Sequence, residues 1–95
     1  MQTIDFKLGE KKNVSIKVIN TLSQAFEVLT ATYILKSGEE VEASGSCEVR
    51  NGCSDYEMIL SALISPKRNR CTYVLRFTYD IFPEKFIYDV QVRVS

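Results

Sequence analysis

Apolar residues along this chain recur on alternate positions, and the clearest run is Cys71–Tyr79. Tyr73, Leu75, Phe77 and Tyr79 fall on one side of an extended chain, and Thr72, Val74, Arg76 and Thr78 on the other. Successive side chains of a strand point to opposite faces, so the spacing predicts a strand with one face in a core. At roughly 1.5–3 kcal/mol per buried side chain, four such residues stabilise that face by several kcal/mol. The other alternating runs are expected to supply the strands that cover it.

Taken in order, Thr3–Leu8 alternates with Ile4, Phe6 and Leu8 inward, and residues 9–12 make a polar turn. Asn13–Ile19 places Val14, Ile16 and Val18 inward with Ser15 and Lys17 outward, giving a hairpin or the first pair of sandwich strands. Residues 20–25 read as a loop. Thr21-Leu22-Ser23-Gln24 also has the spacing of a helix capping box, which leaves a helix over 21–33 open. The β-branched and aromatic residues from Val28 to Ile34 favour a strand over 26–36, with Leu29, Ala31, Tyr33 and Leu35 inward.

After a turn at Ser37-Gly38, residues 39–50 predict one long strand. Val41, Ala43, Gly45, Cys47 and Val49 share its inner face; Glu40, Glu42, Ser44, Ser46, Glu48 and Arg50 share the outer one. Small inward residues imply close approach to a bulky partner such as the Tyr73–Tyr79 face, and Gly45 is the candidate bulge. Asn51-Gly52 is a turn signal. In 56–64, Met58, Leu60, Ala62 and Ile64 alternate, but Ile59 and Leu63 are apolar too, so a strand and a short helix over 57–64 both fit. Residues 65–70 and 81–85 read as turns, and 86–95 as a closing strand with Tyr88, Val90, Val92 and Val94 inward. The expectation is an all-β domain of about seven strands, an antiparallel sandwich or barrel.

The chain has 95 residues, 45% of them hydrophobic and 25% charged, which suits a single globular domain over residues 1–95 rather than a disordered segment. Twelve basic and twelve acidic residues cancel. Without a net positive field, nucleic acid and anionic membrane are not expected partners. Pro66-Lys67-Arg68-Asn69-Arg70, the densest basic stretch, reads as a solvated hairpin tip. No apolar run approaches the roughly 18–20 residues that span a bilayer, and the N-terminal residues do not resemble a signal peptide. The expected setting is the cytoplasm, or a particle assembled there. Cys47, Cys53 and Cys71 are odd in number and read as free thiols. Asn13-Val14-Ser15 matches a glycosylation sequon and is read as chance in that setting.

Tyr73-x-Leu75-x-Phe77, after a polar turn and before a last strand ending Val90-x-Val92-x-Val94, resembles the penultimate and last strands of immunoglobulin-like domains. The resemblance covers residues 26–95. It implies an antiparallel Ig-like β-sandwich in which Tyr73 bonds back to the turn before it. The family often carries Gly two positions before that tyrosine, where this chain has Cys71, and a core tryptophan, which this chain lacks. A small domain of this kind is similar to the Ig-like structural proteins of phage and prophage heads, necks, tails and baseplates. The resemblance therefore implies a non-enzymatic structural or assembly role, with a protein partner that is a second copy or a larger component.

Candidate chemistry is sparse. With no histidine, the common nucleophile–base pairs and the commonest metal ligand are missing. The cysteines are six and eighteen residues apart and lack a paired zinc knuckle. Cys47 reads as a core thiol, Cys71 lies near a strand start, and Cys53 lies in a turn where a thiol is open to reaction. Asp55, Asp80 and Asp89 are scattered and read as solvated carboxylates. No cofactor is expected, nor an enzyme. If strands 26–36, 71–79 and 86–95 share a sheet, its outer face carries Ile34, Val74, Arg76 and Ile87, the candidate partner-binding residues. The alternative is a carbohydrate- or surface-binding module that stacks ligands on Tyr56, Tyr79, Phe82 and Phe86.

Overall fold

A computed structural model describes residues 2–19, 28–52, 57–68, 70–81 and 84–95. Among these, eight strands form two sheets: β1 (Gln2–Phe6), β2 (Lys12–Ile19), β3 (Thr30–Ser37), β4 (Glu40–Ser46), β5 (Glu48–Asn51), β6 (Glu57–Ile64), β7 (Thr72–Ile81) and β8 (Glu84–Val94). One sheet has the order β1-β8-β7-β3-β4, and the other β2-β6-β5. The all-β expectation holds, with one strand more than the alternation suggests. All pairs are antiparallel except β1, which runs parallel to β8 from Gln2↔Val90 to Phe6↔Val94.

Tyr73, Leu75 and Phe77 lie in the core, as their alternation predicts. They meet Leu35, Val90, Val92, Val94 and Phe6 of their own sheet, and Val14, Ile16, Leu60, Ala62 and Ile64 of the facing one. Most of these side chains occupy the inward half of a period-2 run, so burial of that half is what joins the sheets. Residues 57–64 are a strand. Ile59 and Leu63, the two apolar residues compatible with a helix, lie on its outward side, the first half-buried and the second exposed. Of the 21–33 alternative, residues 20–27 lie outside the described residues, and Thr30 onward is strand.

Several expectations require correction. β1 and β2 are not a hairpin, since they belong to different sheets. Leu8 and Leu29 are more than half exposed because each lies just past the end of its strand. The β7–β8 ribbon runs on to Ile81↔Glu84, so Ile81, Glu84 and Lys85, expected in a turn, are strand instead. The apolar side of that ribbon continues to Tyr88, which is 41% exposed rather than inside.

The long strand over 39–50 is two strands. At Cys47, whose N–H donates to the Ala31 carbonyl at 2.9 Å, the chain leaves β3 and crosses to pair with β6 from Glu48 onward. The bulge is not at Gly45. The register jumps from Leu35↔Ala43 to Lys36↔Val41, which makes Glu42 the extra residue. A bulge shifts the alternation by one position. Val41 therefore joins the outward face of Lys36 and is 55% exposed, while Glu42 is free to turn toward the core. Gly45 has another use: a Cβ there would lie 3.2 Å from the Tyr33 ring.

The turned Glu42 meets Tyr73. The buried Tyr73 hydroxyl donates to Glu42 Oε1 at 2.8 Å and accepts from the Arg68 amide at 3.2 Å. The Lys67 amide donates to the second Glu42 oxygen at 3.3 Å, and Arg68 pairs with Glu40 at 2.7 Å. The loop after β6 is thus pinned both to the start of β7 and to the β4 edge. The bond from Tyr73 to the preceding turn is the one the sequence resemblance implies. Burial and the Glu42 contact push the Tyr73 phenol up to about 12.

Candidate functional site

The outer face of the five-stranded sheet is built by the polar half of the same runs. β3, β7 and β8 lie side by side, as expected, so Ile34, Val74, Arg76 and Ile87 share one surface. The register makes Arg76 its centre. Ile34 lies directly across from Arg76 on β3, and Asp89 directly across on β8. Val74 is two positions along β7 from Arg76, while Ile87 is two positions along β8 from Asp89. Ile34 and Val74 are half-buried, and Ile87 is 60% exposed.

Arg76 and Asp89 form a two-point ion pair, Nε–Oδ1 at 2.9 Å and Nη2–Oδ2 at 3.1 Å. The Arg76 hydrogen bond holds the Asp89 carboxyl below its ordinary value, with further attraction from Arg76 and Lys36. The same contact raises the Arg76 guanidinium. Asp89 is therefore not the solvated carboxylate that its place in the sequence suggests. Its pairing is not legible there because it depends on cross-strand register rather than on spacing in the chain. The pair also divides the apolar residues: Ile34 and Val74 lie on one side of it, and Ile87 on the other. The outcome is a mixed surface with a fixed, planar, charge-compensated centre.

Around this face the polar groups are matched locally. Thr3 donates to Gln91 at 3.1 Å, Thr30 to Asp80 at 2.6 Å, and Arg93 pairs with Asp5 at 3.0 Å. The carboxylates are therefore held by neighbours or spread apart. Among the described residues no group of three or more His, Cys, Asp or Glu could hold a metal ion. Cys47 and Cys71 are free thiols, and burial pushes the Cys47 thiol up to about 11, away from thiolate reactivity. Cys71 is within 3.4 Å of the Ser37 hydroxyl and borders an open hollow of about 390 Å³ with Asp5, Thr72, Arg93 and Ser95. Cys53 and Asp55 lie outside the described residues. No helix among the described residues is long and apolar enough to cross a membrane.

At the other end of the core, Tyr79 stacks on Phe86 with ring centres 5.5 Å apart and an 18° interplanar angle. These are two of the four aromatics expected to offer a stacking surface; Tyr56 and Phe82 lie outside the described residues. Phe86 and Tyr88 each leave about two-fifths of their surface exposed. Burial raises the Tyr79 phenol, with a smaller contribution from Tyr88.

No family model matches the chain, and no curated protein matches it. The crystal structure of an engineered protein superposes on 99% of this chain with a TM-score of 0.69 at 16% identity; this chain spans 18% of that protein's length. At that identity the likeness is one of fold alone.

Proposed function

We propose that this chain is a small immunoglobulin-like domain that acts without catalysis, as a structural or assembly protein holding a protein partner. The strand order supports the immunoglobulin-like part. Taking β2, β3, β6, β7 and β8 as the B, C, E, F and G strands puts B beside E in one sheet, and G, F and C in succession in the other, as that fold requires. The bond from Tyr73 to the Arg68 amide adds to this.

The observation that carries the functional reading is the outer face itself, where Ile34, Val74 and Ile87 surround a pre-formed Arg76–Asp89 pair. A side chain docking there covers apolar surface without stranding a lone charge, because Arg76 already has its partner. Native mass spectrometry and light scattering on the wild-type protein and on Val74→Lys test it. Loss of assembly in the variant is the expected result, and assembly unchanged by Val74→Lys rules out this face. The phage or prophage setting rests on the sequence resemblance. Neighbouring genes for capsid, tail or baseplate proteins are its test.

A second reading, a carbohydrate- or surface-binding module, is favoured by the Tyr79–Phe86 stack beside exposed Tyr88. Flat apolar rings at one end of a sandwich offer the stacking surface that sugar rings use. Binding on a glycan array that is lost in Phe86→Ala is the result this reading expects. An array without binding removes it.

A further inference from the structure

Among the described residues the two sheets have four outer edges, and three of them are blunted. β4 carries a bulge at Glu42 and has Gly45 near its end; β5 has four residues and β1 five. Bulges and short length are the usual means by which an edge is kept from pairing with another chain. β2 has neither. Its eight residues pair with β6 without a break from Lys12↔Ile64 to Ile19↔Glu57. Among the described residues its other side has no neighbouring strand, and Asn13–Ile19 make no backbone hydrogen bond beyond those to β6. Of its two lysines, which could guard the edge, Lys12 is folded away, its Nζ lying 4.5 Å over the Phe6 ring and donating to the Asp5 carbonyl at 3.1 Å, and Lys17 is exposed on the outward face.

We infer that β2 pairs antiparallel with β2 of a second copy, joining two three-stranded sheets into one sheet of six. A two-fold pairing is self-complementary, so each contact occurs twice. Centring it on Ile16 sets Ile16 against Ile16 and Val14 against Val18 on the core side, where each residue keeps an apolar neighbour. On the outward side Ser15 faces Lys17, so no two like charges meet. Shifting the centre to Ser15 sets Lys12 against Val18 on the core side, which disfavours that register. Val18, half-buried in the single chain, is the core-side residue that gains most cover. The inference rests on the reading of the chain as one that works through protein contacts, but on a surface separate from the Arg76 face.

The test is sedimentation of the full chain from micromolar to millimolar concentration, with Ser15→Glu, Ser15→Lys and Ser15→Ala beside the wild type. Ser15→Glu puts a carboxylate opposite Lys17 twice per dimer, and Ser15→Lys puts a like charge there twice. On the scale of cross-strand charge pairs, each change moves the dimer constant by about twofold to thirtyfold. The expected result is tighter association for Ser15→Glu and weaker association for Ser15→Lys relative to Ser15→Ala, both reduced by salt. All three variants lose the Ser15–Ser61 hydroxyl contact of 2.7 Å alike, so damage to the fold shifts them in one direction. Shifts of the same sign, or a wild type monomeric throughout, overturn the pairing. If Val74→Lys abolishes assembly while the Ser15 variants match one another, the outer-face reading stands and the edge pairing falls. Opposite shifts at Ser15 with Val74→Lys unaffected support the edge pairing and remove the outer face.

Discussion

Replacing Tyr73 with Phe removes one oxygen from a buried side chain, yet that oxygen joins three segments. It donates to the Glu42 carboxylate at 2.8 Å and accepts from the Arg68 amide at 3.2 Å, tying β7 to the β4 bulge and to the preceding loop. A hydrogen bond to a charged group is worth about 1.5–3 kcal/mol and a neutral one about 0.5–1.5 kcal/mol. Arg68 is exposed, so water can take over its N–H. Glu42 is half-buried and also accepts from Lys67, so its freed oxygen is harder to resolvate. The expected cost of Tyr73→Phe is about 2 kcal/mol, or roughly 8–16 °C in Tm for a domain of this size. Urea unfolding followed by tyrosine fluorescence and far-UV circular dichroism measures it. A cycle with Glu42→Gln should give a coupling of about 1–2 kcal/mol.

The same group sets an alkaline limit. Tyr73 ionises at about 12 in the folded protein, against an ordinary value of 10.0. Between those values the unfolded chain gives up its proton and the folded one does not. The stabilisation is therefore complete below about pH 10 and is lost as pH rises toward 12, an effect of roughly 2–3 kcal/mol. The wild-type protein should lose more stability than Tyr73→Phe over that interval. A Tyr73→Phe protein within about 0.5 kcal/mol of wild type, or a cycle with no coupling, would refute the role assigned to the Glu42 bulge.

Three other substitutions probe separate parts of the sandwich. Asp89→Asn should cost under about 1 kcal/mol, since the Arg76 pair is partly exposed, and it should flatten the acid limb of stability. The direction is fixed by the lowered Asp89 value: the contribution is present above the ordinary carboxylate range and lost as pH falls through the folded value, which a urea series from about pH 5 to 2 reads. Gly52→Ala places a Cβ 2.7 Å from Glu57 Cβ and should destabilise by about 1–3 kcal/mol, more than Gly45→Ala, whose neighbour is a Tyr33 ring that can tilt; thermal melts of the two rank them. Leu75→Ala, in a fully buried site, should cost about 2–5 kcal/mol by urea unfolding.

The class of fold is written into the chain because period-2 burial is a local property. Tyr73, Leu75 and Phe77, or Val90, Val92 and Val94, declare a strand and its inner face without reference to any other segment. The candidate face is legible only in part: parity puts Ile34, Val74, Arg76 and Ile87 each on the outward side of its strand, and the adjacency of β3, β7 and β8 makes them one surface. Parity does not say which strand lies next to which, or at what offset. Tertiary structure therefore decided that β1 joins β8 in parallel, that the chain changes sheets at Cys47, and that Asp89 faces Arg76. The Glu42 bulge shows why: a single extra residue reverses which side chains face inward, and its position appears only in the pairing of β4 with β3. An alternating run reads the same with or without such a bulge, so only the packed sheets could show Val41 turned to solvent and Glu42 turned to Tyr73.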